Sequence, residues 1–72
     1  MIRIFATSVT NSRLARKIEK DFLNTFIVKE VNFDLEDRDN IFRVDTAENE
    51  ICAEKVKHFF RMFGIQAFEL ED

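Results

Sequence analysis

The sequence predicts an α+β domain of four antiparallel strands and two helices, and three observations carry that expectation. Hydrophobic periodicity alternates along the 72 residues between two and about 3.6, in the order strand, helix, strand, strand, helix, strand. The two middle strands are separated only by Asp37-Arg38-Asp39-Asn40, a turn of hairpin length. The only glycine, Gly64, stands where the second helical pattern stops and the last strand pattern begins, as an αL helix terminator would.

Ile2 to Ala6 is short and apolar with Arg3 interrupting it, and reads as a first strand. Thr10, Asn11 and Ser12 can each cap a helix N-terminus, and behind them Leu14, Ile18, Phe22 and Phe26 recur every four residues. Val31, Phe33 and Leu35 alternate with Asn32, Asp34 and Glu36, which predicts a strand with one wet face. Ile41 to Val44 returns as the third strand. Asp45 and Glu48 have capping-box spacing, which predicts a helix starting there, with Cys52, Val56, Phe59, Phe60 and Phe63 as its inner stripe. Ile65 to Leu70 is the fourth strand. Right-handed crossovers place both helices on one face of the sheet, which makes a ferredoxin-like βαββαβ two-layer sandwich over residues 1–72, a single domain.

Composition narrows the function classes. Hydrophobic residues are 46% of the chain and nine are Phe, enough for a dense core in a domain this small and incompatible with disorder. Fourteen acids against 11 bases give a net charge of −3, the opposite of a nucleic-acid-binding balance. No apolar run reaches the roughly 20 residues of a membrane span. A lone cysteine and a start that turns polar at Arg3 predict a reducing, cytoplasmic setting. The chain has no glycine-rich phosphate loop and no recognisable triad, so no enzyme and no cofactor is expected.

Residues 28 to 70 carry a further pattern: Val28-Lys29-Glu30-Val31-Asn32-Phe33-Asp34-Leu35-Glu36, a turn, a strand, a helix, then Gly64-Ile65-Gln66-Ala67. Ala15-Arg16-Lys17-Ile18-Glu19-Lys20 supplies a matching first helix. Together these resemble the heavy-metal-associated domain family over nearly the whole chain. The resemblance implies the ferredoxin-like fold, and it implies a metal loop before the first helix with Met-x-Cys-x-x-Cys. Here Val9 stands at the Met position, and Asn11 and Leu14 at the two cysteine positions. Soft Cu(I) needs thiolate or thioether ligands, which an amide and an isobutyl group do not provide. The family's glycine before the second strand is replaced by Ile27. The resemblance therefore implies a degenerate member that keeps the fold and a docking surface around the first helix, without the metal.

The candidate residues follow. Arg13, Arg16, Lys17 and Lys20 set four cations against Glu19 and Asp21 in segment 11–26, a net +2 and a possible docking surface for a protein partner or a second copy. Segment 30–50 sets eight acids against Arg38 and Arg43, a net −6. Asp34, Glu36, Asp37 and Asp39 are its densest cluster. Asp34 and Glu36 are expected on the same sheet face. The cluster reads as a solvated hairpin that discourages edge pairing, with a basic partner as the alternative, and it lacks the glycine and terminal glutamate of a calcium loop. Cys52 reads as a small buried hydrophobe on the helix stripe, and His58 as a partly exposed flank residue. Those two with the acidic hairpin are the alternative, a metal site without the cysteine pair. Strand parity leaves Phe5, Phe42 and Phe68 open: an outward Phe5 and Phe68 would form an apolar patch on the uncovered sheet face. Such a patch suits an interface; base stacking by RNA is disfavoured by the acidic balance.

Overall fold

In the computed structural model, which describes residues 1–70, β1 spans Ile2–Thr7, α1 Ser12–Thr25, β2 Glu30–Asp34, β3 Ile41–Asp45, α2 Ala53–Arg61 and β4 Ala67–Leu70. The strands form one antiparallel sheet in the order β2-β3-β1-β4, the ferredoxin-like arrangement that the periodicities predict.

Register decides what each face of the sheet carries. Phe5 lies opposite Phe42, which lies opposite Phe33, and Val44 lies opposite Val31. These residues share one face. Phe5, Phe42 and Val44 are fully buried there against Ala15, Ile18 and Phe22 of α1 and Val56 and Phe60 of α2. The parity left open by the sequence is thereby settled. Phe5 and Phe42 belong to the core and Phe68 faces out, 60% exposed. The core is knit by ring contacts: the Phe42 ring sits 5.1 Å from Phe22, 4.7 Å from Phe33 and 5.1 Å from Phe60. Edge-on and tilted pairs at these separations are the favoured aromatic geometries.

The opposite face divides in two. Towards β2 and β3 it carries Asn32, Asp34 and Arg43. Towards β1 and β4 it carries Ile2, Ile4, Ala6, Phe68 and Leu70, with Ile2, Phe68 and Leu70 exposed.

Among the three possible caps of α1 the structure selects Asn11, whose Oδ1 accepts from the N–H groups of Arg13 at 2.8 Å and Leu14 at 3.1 Å. Asn11→Ala should therefore cost about 1 kcal/mol. Chemical denaturation would show it, while Asn11→Ser or Asn11→Asp should be nearly neutral.

The expected start of α2 is wrong by most of two turns. Asp45 does not cap a helix. It ends β3, and its Oδ1 accepts from the N–H of Ala47 at 2.9 Å in a tight turn where Ala47 is left-handed, with φ 55°. A left-handed residue cannot sit in a right-handed helix, so none runs through Ala47, and α2 begins at Ala53. Cys52, expected on the buried stripe, is instead the extended residue before the helix, and it is exposed. The four-residue spacing from Cys52 to Val56 crosses the helix start, and helical periodicity holds only where the backbone is helical. Ile51 and Ala53 pack against the core in its place. At the other end, Gly64 has φ 72° and Ile65 donates back to the Phe60 carbonyl at 3.0 Å, the predicted glycine termination. Among the described residues no helix is long and apolar enough to cross a membrane.

Candidate interaction surface

The loop before α1 is used up by structure. Val9 is fully buried in the core, Asn11 caps the helix and Leu14 packs against the core. All three positions that the resemblance would give to metal ligands thus have packing or capping roles.

Arg13, Arg16, Lys17 and Lys20 are all exposed on α1. Arg16 pairs with Glu19 at 3.2 Å and Lys17 with Asp21 at 3.4 Å, both one helical turn away. Arg13 and Lys20 have no ion pair among the described residues. Exposed pairs of this kind contribute little to stability, so the four cations remain available to a partner.

Glu19 has a second task that the sequence did not disclose. Its Oε2 accepts from the backbone N–H of Phe33 at 2.9 Å. That N–H points away from β3 along the outer edge of the sheet, so a helix carboxylate occupies one of the outward donors that a further strand would need at the β2 edge. A single Glu in a stretch of cations looks like charge balance; only the register of β2 reveals its use.

The acidic hairpin is also partly structural. Asp34 Oδ1 accepts from the N–H groups of Glu36 at 3.2 Å and Asp37 at 3.3 Å, and Asp37 Oδ1 accepts from Asp39 N–H at 2.8 Å. Two of the four acids therefore build the turn, which Asn40 completes with φ 47°. Asp34 also lies 3.8 Å from Arg43 across the sheet. The expected shared face for Asp34 and Glu36 does not apply, because β2 ends at Asp34. Glu36, Asp37 and Asp39 are exposed at the tip.

Basic helix and acidic hairpin meet at one cleft of about 450 Å³. Ser12 and Arg16 of α1 line one side, Asp34, Glu36 and Arg43 the other, over Ala15, Phe33 and Leu35. The surface is thus bipolar at short range, cationic along α1 and anionic at the hairpin. A second hollow of about 650 Å³ lies at the far end of the helical layer, between Phe26 and Thr25 of the α1 end and Glu54, Lys55, His58, Phe59 and Met62. His58 is exposed on its rim, a flank position as expected from the sequence.

Among the described residues no three His, Cys, Asp or Glu side chains come together as a metal-binding group. Cys52, His58 and the acidic hairpin are therefore not gathered into one site. Zinc and calcium both require a convergent set of donors.

Arg3 and Glu69 form the most enclosed ion pair. The Arg3 guanidinium binds Glu69 through Nε and, at 2.7 Å, through Nη2, while Nη1 donates to the Ile51 carbonyl at 2.9 Å. Hydrogen bonding to Arg3 holds the Glu69 carboxyl below the usual range, and the same bond raises Arg3. The pair lies on the helix side of the sheet and ties β1, β4 and the segment before α2 together. Strand periodicity marked Arg3 only as an interruption.

No protein-family model, curated protein or solved structure matches this chain.

Proposed function

We propose that this domain is a non-enzymatic protein-interaction module, a degenerate relative of the heavy-metal-associated carriers that keeps the docking helix and has given up the metal. The observation that carries the reading is the reassignment of the loop: where a carrier would place ligands, Val9 fills the core, Asn11 caps α1 and Leu14 packs beneath it. Beside that loop the exposed cations of α1 offer long-range attraction to an acidic partner, and the adjoining cleft offers apolar contact through Phe33 and Leu35.

Two arms test it. In an amide NMR titration with Cu(I) and then Zn²⁺ under reducing conditions, residues 8–14 should show no saturable shift. Saturation there would overturn the metal-free reading. In affinity capture from the native source, a specific complex formed by the wild type should be lost when Arg13, Arg16 and Lys20 are all changed to Glu. A complex that survives the reversal would remove α1 as the docking face.

A further inference from the structure

The two edges of the sheet are treated differently. At the β2 edge, Glu19 occupies the outward N–H of Phe33. At the β4 edge nothing comparable exists among the described residues. Ser8 N–H donates to the Gln66 carbonyl, so the hydrogen-bonded pairs of β1 and β4 are Ser8–Gln66, Ala6–Phe68 and Ile4–Leu70. The alternate residues, Ala67 and Glu69, turn their N–H and C=O groups outward. Above them on the helix side, Lys57 and Arg61 of α2 line a shallow hollow with Ala67 and Phe68. Below them, Phe68 is 60% and Leu70 40% exposed.

We infer that this edge pairs with the same edge of a second copy, β4 antiparallel to β4, joining two four-stranded sheets into one continuous sheet. The inference concerns a surface separate from the α1 face and does not depend on the proposed partner of that face.

Three registers can be considered, and the structure selects one. Setting Ala67 opposite Ala67 of the second copy would require the N–H of Ile65, which is already spent on the Phe60 carbonyl. Setting Glu69 opposite Glu69 would oppose like charges directly. Setting Phe68 opposite Phe68 uses both outward residues, with each Ala67 exchanging its bonds with Glu69 of the other copy. It also brings the Arg3–Glu69 pair of each copy beside the Lys57 and Arg61 that flank the opposing Ala67, so that cations of one copy face a carboxylate that its own Arg3 already holds. The two Phe68 rings then meet on the uncovered face, where each is otherwise in water. A strand of four residues and one aromatic pair make an interface below the roughly 1,200 Å² of standard complexes, so a weak, concentration-dependent dimer is expected.

The central Phe68 pair is non-hydrogen-bonded, with Cα atoms about 4.5 Å apart, within the range a disulfide spans. In a Cys52→Ser background, Phe68→Cys should cross-link rapidly under mild oxidation. Met62→Cys, exposed on the helical layer, should not. Sedimentation of the wild type over about 10 μM to 1 mM should show a monomer–dimer equilibrium, weakened at least tenfold by Phe68→Asp. Because Phe68 is on the surface, that variant should keep its fold, which circular dichroism would check. A wild type that stays monomeric across the range, a dimer unaffected by Phe68→Asp, or cross-linking no faster at position 68 than at 62 would each overturn the inference. The last with Met62→Cys reacting would instead place a second copy on the helical layer.

Discussion

Phe22→Ala should remove about 3–5 kcal/mol of stability, from a domain whose whole stability is of the order of 4–10 kcal/mol. Phe22 is fully buried, and its ring lies 4.3 Å from Phe26, 5.1 Å from Phe42 and 5.2 Å from Phe59. It is the point where α1, β3 and α2 touch one another. Truncation to Ala leaves a ring-sized void bounded by other rings, which are flat and stiff and cannot collapse into it as Leu or Met would. Thermal unfolding should move down by at least about 12 °C, because in a domain of this size each kcal/mol is worth roughly 4–8 °C. Phe22→Leu should fall in between. Phe68→Ala, examined at low concentration, should change stability by less than about 0.5 kcal/mol, since that ring is already in water. If Phe22→Ala cost no more than Phe68→Ala, the aromatic cluster would not be the core that holds the layers together.

The contrast between Phe22 and Phe68 also marks how far the residues disclosed their own structure. Helical and strand periods placed the elements in the right order because one face of each element must be apolar for the layers to pack, and that requirement is written in spacing. Phe22 recurs with Leu14 and Ile18 and could be placed inside from spacing alone. Phe5, Phe42 and Phe68 sit in strands too short for a period of two to establish itself, and only cross-strand register assigns them. Local chemistry was legible where a single residue type suffices, as with Gly64 and its positive φ and Asn40 in the hairpin. It misled where one residue type serves two turns. Asp45 with Glu48 has the spacing of a helix start, yet the carboxylate closes a turn around left-handed Ala47. The displaced start of α2 then carried Cys52 from core to surface.

The candidate site was legible only in outline. The cations of α1 were visible as a charge run, and their exposure follows from the opposite, apolar stripe. The edge cap by Glu19 and the anchoring of the α2 approach by Arg3 were not visible. Both depend on contacts between residues far apart in sequence, Glu19 with Phe33 and Arg3 with Ile51 and Glu69, and no local pattern encodes them. The same long-range geometry separates a protected sheet edge from an open one, and that difference directs attention to β4.

Arg3→Met should destabilise the domain by about 2 kcal/mol at pH 7, with the loss shrinking as pH falls. The side chains of Arg3 and Glu69 are only 22% and 27% exposed, so removing the guanidinium leaves a largely covered carboxylate without its donor and the Ile51 carbonyl without its tie to β1. Met keeps most of the stem volume, which isolates the charge effect. The sign follows from the direction of the shifts. Glu69 titrates lower in the folded state than in the unfolded one, because Arg3 hydrogen-bonds its ionised form. The unfolded chain therefore binds the proton first, and the stability contributed by the pair is complete above the ordinary carboxylate range and is lost as pH drops through the folded value. Asp45 behaves in the same direction, held down by the Ala47 N–H. Arg3 is raised, so its contribution would fade only above the ordinary guanidinium range, beyond any useful pH. Denaturation midpoints of wild type and Arg3→Met should thus diverge at neutral pH and approach each other in acid, with a residual acid slope common to both from Asp45. A gap that stays constant from neutral pH into acid would assign the role of Arg3 to its bond with Ile51 alone, and would remove Glu69 from the clasp that joins β1, β4 and the segment before α2.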